Sequence, residues 1–155
     1  PETNVIIEGT RSVALEPQRL YTLLQDPDTL ARCIPGCESL VKEGDQEYRL
    51  KMKLVIASVN GLFDGRVRIA DPSPHESFRL IVEGSGRAGF VKGDGVIRLA
   101  SDNGAGTNVH YKGEVHVGGT IAAVGQRLLD MTAKMVIKRF FDKVSEEAVA
   151  KASGT

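Results

Sequence analysis

Residues 47–56 read EYRLKMKLVI. Tyr48, Leu50, Met52, Leu54 and Ile56 share one side of an extended chain, and Glu47, Arg49, Lys51 and Lys53 share the other. Strict alternation describes a strand with one face on a core and one in water, the pattern of an antiparallel sheet. Downstream the logic repeats. In GLFDGRVRIA (61–70) the odd positions are Gly61, Phe63, Gly65, Val67 and Ile69, against Asp64, Arg66 and Arg68. The turn signal DPSPHES follows, and SFRLIVEG (77–84) sets Phe78, Leu80 and Val82 on one face. RAGFVKGDGVIRL (87–99) and TNVHYKGEVHV (107–117) are two more strands, joined by SDNGAG.

Gly118-Gly119 closes the last strand, and Thr120 is expected to cap what comes next. Residues 121–151 contain no proline, and Ile121, Val124, Leu128, Met131, Met135 and Phe140 fall near one stripe. The spacing predicts one amphipathic helix of about 45 Å if continuous. The closing stretch EEAVAKASGT reads as a frayed polar tail. Upstream of the alternating region, residues 5–15 form an imperfect strand. Pro17 takes the first position of a short helix carrying Leu20, Leu23 and Leu24, and Asp26-Pro27 ends it and starts another, which Pro35-Gly36 stops. The order is one strand, two short helices, about six antiparallel strands and a long helix. That is an α+β chain, a curved antiparallel sheet of about seven strands wrapped on a C-terminal helix, in a single domain over 1–155.

The 20 basic and 20 acidic residues cancel, and no basic stripe is present, so nucleic acid is not an expected partner. No apolar run reaches membrane-spanning length, and the opening PETNVIIEGT lacks a basic start and an apolar core segment. The expected compartment is the cytoplasm.

The glycines are placed with some regularity. Gly93 and Gly95 share a face with Val91, Ile97 and Leu99, and Gly113 is in register with Val109, Tyr111 and Val115. Glycine within a strand gives up packing. Repeated on the inner face of neighbouring strands, it either leaves an apolar hollow between sheet and helix or lets the sheet bend sharply. Spacing alone leaves both open, and a strongly bent sheet tends to hollow out anyway.

Catalytic constellations are sparse. His110 and His116 alternate with Lys112 and Glu114 on a polar strand face, and His75 sits in a turn, so no set of histidines converges on a metal. GSGRAG (84–89) matches a phosphate-loop spacing but does not lead into a helix. No elbow surrounds Ser12, Ser58, Ser77 or Ser85, and Asp64 and Asp94 lie among charged neighbours. The only cysteines, Cys33 and Cys37, stand four apart in ARCIPGCESL. That spacing is wrong for a redox pair, and a zinc site would lack two ligands. Cys33 is expected to end a helix as a small apolar residue and Cys37 to open the next strand. No catalytic residue, metal or cofactor is expected.

The stretch DPDTLARCIPGCESL (26–40) resembles the signature of the carbon monoxide dehydrogenase G-subunit family, within the START-like helix-grip superfamily. The resemblance continues through Gly61, Gly65, GSGRAGFVKGDG (84–95), VHVGG (115–119) and IAAVGQRLL (121–129). It implies a helix-grip fold with a hydrophobic cavity, and a role accessory to molybdenum-containing carbon monoxide dehydrogenases or related hydroxylases. It also brings in contact with a lipophilic quinone and a peripheral position at the inner face of the membrane. The resulting expectation is a non-enzymatic binding protein for an apolar ligand, with a quinone-like or isoprenoid lipid the specific choice. Candidate ligand contacts are Tyr48, Leu50, Met52, Phe63, Val67, Phe78, Leu80, Val109 and Tyr111 on the strands, and Leu128, Met131 and Met135 on the helix. Gly93, Gly95 and Gly113 provide room, and Tyr111 serves as an inward polar handle. Two other readings remain: a small cyclase- or hydratase-type enzyme, and a ligand-free assembly or membrane-recruitment factor.

Overall fold

The structure is a computed structural model that describes residues 2–104 and 106–152. Strand β1 (Glu2–Val13) is followed by helices α1 (Pro17–Leu23) and α2 (Pro27–Cys33). Six strands come next: β2 (Cys37–Lys42), β3 (Glu47–Ile56), β4 (Val59–Ser73), β5 (Ser77–Gly86), β6 (Gly89–Ser101) and β7 (Thr107–Gly118). A 3-10 turn (Thr120–Val124) leads into α3 (Gln126–Ala152). All seven strands form one antiparallel sheet in the order β1-β7-β6-β5-β4-β3-β2, so the first strand pairs with the last.

Local chemistry explains the short helices. Pro17 and Pro27 each occupy the start of a helix, where a missing N–H costs nothing. The Asp26 carboxylate accepts from the backbone N–H and the hydroxyl of Thr29, each at 2.9 Å. Hydrogen bonding to Thr29 holds the Asp26 carboxyl below its usual range even though burial pushes the other way and is the larger single influence. α2 ends on the fully buried Cys33, and the chain reverses through Pro35 and Gly36. Gly36 has φ +75°, and a side chain there would run into the Lys53 carbonyl of β3. This is why Pro-Gly separates the two cysteines.

The long helix departs from the sequence expectation in phase and length. Thr120 does not cap a helix; it begins the 3-10 turn, and Gly119 precedes it with φ 86°. Gly125, at φ 99°, separates that turn from α3, so the stripe that includes Ile121 and Val124 does not continue in register. From Gln126 the helix runs 27 residues, about 40 Å. Its inward side is Leu129, Ala133, Ile137, Phe140, Phe141, Val144 and Ala148. The polar tail expected from Glu146 onward is helical as far as Ala152, with Ala148 fully buried. Residues 153–155 lie outside the described chain.

Polar contacts hold the C-terminal half of α3. Arg11 of β1 reaches Asp142 at 2.8 Å, and Lys138 meets the same carboxylate at 2.8 Å. Arg32 of α2 meets Glu147 at 2.6 Å, and Arg19 of α1 donates to the Lys151 carbonyl at 2.8 Å. The N-terminal end is held more lightly, by the Gln126 amide donating to the Asn4 carbonyl at 2.8 Å.

The apolar interior divides into two clusters. One packs α1, α2 and the C-terminal half of α3 over Tyr48, Ile69, Phe78, Leu99 and Val109. The other gathers Val5, Ile56, Phe63, Ala88, Val117, Ile121 and Leu129 near the start of α3.

Candidate functional site: an apolar cavity under the long helix

The register of β1, β7, β6 and β5 explains why the two clusters do not merge. Ile7 pairs with Gly113, Gly113 with Gly95, and Gly95 with Leu80, so two adjacent strands offer no side chain at the same level. One level along, Val115, Gly93 and Val82 lie side by side. The hollow left there has a volume of about 370 Å³. Its walls are Leu80, Val82, Val91, Ile97 and Val115 from the sheet, Tyr48, Leu50, Met52 and Val67 from the opposite flank, and Val136, Ile137, Phe140 and Phe141 from α3. Leu24, Leu30, Ile34, Pro35 and Leu40 complete it from the end of α1, from α2 and the turn after it, and from β2.

Two uses of glycine coexist in this wall. At Gly113 a Cβ would sit 2.9 Å from the Asp94 carbonyl, and at Gly95 it would sit 3.0 Å from the Lys112 carbonyl. There the strands approach on the concave side too closely for a side chain, so glycine permits the bend. At Gly93 a Cβ would find only ordinary neighbours, Val115 at 3.5 Å and Val82 at 3.8 Å. Gly93 is spare room.

Ten of the residues singled out from sequence line the hollow: Tyr48, Leu50, Met52, Val67, Phe78, Leu80, Gly93, Gly95, Tyr111 and Gly113. Five do not. Val109 is fully buried in the first cluster, beyond the cavity, and Phe63 belongs to the second, where its ring fills the space a side chain at Gly61 would need. Leu128, Met131 and Met135 are 38%, 57% and 40% exposed, on the outer side of α3, because Gly125 shifts the helix phase. The sequence reading missed Val136, Ile137 and Phe141, although an aromatic pair after Val-Ile in mid-helix was a usable signal. It also missed Ile34 and Pro35, whose role as wall depends on where the α2–β2 turn lands.

The polar groups around the cavity are few. Tyr48 donates its hydroxyl to the Gln25 carbonyl, and burial raises its pKa, with Asp26 adding to the effect. Tyr111 presents its ring, stacked on Phe141 with centroids 5.5 Å apart, and its hydroxyl lies over Gly9. Asp94, Lys112 and Glu114 border the hollow from positions flanking inward glycines, so their side chains point outward. Asp94 is held by Arg79 and Lys112 by Glu8 at 3.4 Å, and Glu114 lies 3.7 Å from the His116 ring. His110 bonds Thr10 on the outer face at 3.0 Å.

The cysteines lie apart from this chemistry. Burial pushes the Cys33 thiol up to about 11, with the Glu147 charge a smaller contribution. Cys37 donates to the Ser39 carbonyl at 3.4 Å, and burial raises its pKa as well. Both are free thiols. Among the described residues no group of three or more metal-ligating side chains converges, and no helix is long and apolar enough to cross a membrane.

The family model for the G subunit of carbon monoxide dehydrogenase (CoxG) matches residues 9–149. A conserved protein from Geobacillus kaustophilus superposes with a TM-score of 0.89 at 34% identity, covering 96% of each chain. The Zhui aromatase/cyclase from Streptomyces sp. R1128 gives 0.73 at 14% identity, covering 97% of this chain and 96% of its own. A START superfamily protein from Mycobacterium smegmatis gives 0.70 at 12% identity, covering 94% and 97%. The last two likenesses concern the fold alone. No curated protein matches the chain.

Proposed function

Since the chain belongs to the carbon monoxide dehydrogenase G-subunit (CoxG) family, we propose that it is a non-enzymatic binding protein that carries an apolar ligand, quinone-like or isoprenoid, for a carbon monoxide dehydrogenase-type enzyme. The observation that carries the reading is the cavity of about 370 Å³ with its apolar wall. Small-molecule sites are concave, mostly apolar and fitted with a few polar groups, and this one has that character. The charged residues at its border turn outward, Asp94 and Lys112 into ion pairs, which favours holding a ligand over proton transfer to one. Fold likeness to an aromatase/cyclase does not outweigh that arrangement, because related folds host unrelated functions.

The outer stripe of Leu128, Met131 and Met135 suits a peripheral contact with the enzyme or with the membrane that holds the ligand pool, because exposed apolar patches commonly mark such surfaces. The test is mass spectrometry of an organic extract of the purified protein, joined to titration with a short-chain ubiquinone analogue. We expect a co-purifying apolar molecule near one per chain, or saturable binding of the analogue. An empty extract together with no binding overturns the carrier reading in favour of a ligand-free assembly factor.

A further inference from the structure

A second hollow, also of about 370 Å³, lies between β1 and the first half of α3. Its lining includes Asn4, Glu8 and Arg11 from the strand and Gln126, Asp130, Lys134 and Lys138 from the helix, beside Ile6, Ile7 and Ile137, so it mixes charge with apolar wall where the first is apolar. The two hollows adjoin. Ile7, Tyr111 and Ile137 line both, so the partition is one side chain thick. Tyr111 contributes its largest part. The ring stacks on Phe141, and the hydroxyl crosses to β1 over Gly9, a position any side chain would obstruct. That hydroxyl makes no hydrogen bond among the described residues, so packing alone holds the ring in place.

The charges of the groove do not balance. Arg11 and Lys138 share a single carboxylate, Asp142, each at 2.8 Å. Glu8 is answered by Lys112 at 3.4 Å. Lys134 has no ion-pair partner among the described residues, and the Asp130 carboxylate accepts from the Gln126 amide at 2.9 Å. Four cations, Arg11, Lys112, Lys134 and Lys138, therefore face three carboxylates, Glu8, Asp130 and Asp142. An anionic head group cannot enter the apolar cavity without losing its hydration and gaining nothing in return. One side chain away it meets ammonium and guanidinium groups and a free phenol.

We propose that this groove is a head-group subsite for an anionic amphiphile, in the simplest case a long-chain carboxylate. Its tail passes Tyr111 into the apolar cavity and its head rests against Lys134 and Arg11. The proposal rests on the cavity being a ligand site, puts an anionic amphiphile in place of a neutral quinone or isoprenoid as the class of ligand, and adds the side from which it is held.

The experiment is calorimetric titration of dodecanoate and of its uncharged methyl ester into the parent, Lys134→Glu, and Lys51→Glu on the outer face of β3. Lys134 is exposed and unpaired, so its replacement should leave the melting temperature unchanged. We expect Lys134→Glu to weaken dodecanoate about five-fold while leaving the ester unchanged, as loss of one partly solvated ionic contact implies. Lys51→Glu should alter neither. If Lys134→Glu binds dodecanoate like the parent, or loses acid and ester alike, the head-group subsite is wrong while the cavity reading stands. If the parent binds neither compound, the head-group subsite is wrong, and the cavity reading stands or falls with the ubiquinone titration.

Discussion

Gly93→Leu tests the cavity most directly. The new Cβ would sit 3.5 Å from Val115 and 3.8 Å from Val82, in ordinary contact, and Gly93 is not among the residues with positive φ. No backbone movement is therefore needed to admit it. The four added carbons project into a hollow of about 370 Å³. Burying a leucine side chain contributes about 1.5–3 kcal/mol, and losing glycine's freedom in the unfolded chain adds about 0.4–1 kcal/mol. Some of this is offset by side-chain ordering of about 0.5–1 kcal/mol. The net is stabilising by about 1–3.5 kcal/mol, a melting temperature higher than the parent by about 2–14 °C. Gly95→Leu and Gly113→Leu have no such freedom, because the first atom already meets a carbonyl at 3.0 or 2.9 Å. Overpacking of that kind costs about 1–3 kcal/mol. The assays are thermal melting and titration with N-phenyl-1-naphthylamine, whose emission is easily followed in a chain without tryptophan. Gly93→Leu should melt above the parent and lose most of the probe signal, and Lys51→Leu should keep it. A Gly93→Leu protein that unfolds, or that binds the probe as well as the parent, would refute the spare-room argument.

Other outcomes follow from the same packing. In the native protein, Ellman's reagent should modify Cys37 slowly and Cys33 only after unfolding, because burial disfavours the Cys33 thiolate; two fast thiols would contradict the packing described. Replacing Leu128, Met131 and Met135 together by Gln should leave naphthylamine binding and melting within about 0.5 kcal/mol of the parent, as for exposed sites; lost probe binding would place the stripe at the cavity after all. Hydrogen bonding from Lys138 and then Arg11 holds the Asp142 carboxyl below its usual range, and hydrogen bonding from Arg32 does so for Glu147. A depressed folded pKa adds stability above the unfolded carboxyl value of about 4, and that addition disappears as pH falls through the folded value. Acidification from about pH 6 to about pH 3 should thus cost the parent more melting temperature than it costs Asp142→Asn/Glu147→Gln. Equal losses would mean these pairs do not couple α3 to the sheet.

The strands were legible because their pattern is local. Tyr48 through Ile56 alternate so strictly that the inward face can be assigned without a partner strand, and β3 lies where the alternation runs. The family membership expected from Cys33-Ile-Pro-Gly-Cys37 is likewise shown. The helix face was not legible, because one backbone angle at Gly125 decides it. Counting on from Ile121 places Met131 inside; counting back from the inward Phe140, nine residues away, places it on the opposite side of the helix. The glycines show a similar limit. Gly93 and Gly95 are two apart on the same face, yet one has space above it and the other a carbonyl, and that difference comes from sheet curvature. The helical ending in place of a polar tail from Glu146 has the same origin, because Ala148 is buried only by virtue of what α1 and α2 bring against it.

The division of the interior into two clusters has a consequence for cooperativity. Tyr48, Phe78 and Val144 belong to one packed unit and Phe63, Ile121 and Leu129 to the other, and between them lies empty volume. Van der Waals contact transmits nothing across a gap, so the two ends communicate mainly through strand hydrogen bonds. A guest touching both Leu80 and Phe140 would serve as the missing interior and join the ends into one melting unit. In calorimetry the ratio of measured to van't Hoff enthalpy should then exceed one for the empty protein and fall toward one as the cavity fills, whereas a ratio near one in both states would mean that the sheet alone already makes the chain melt as a whole.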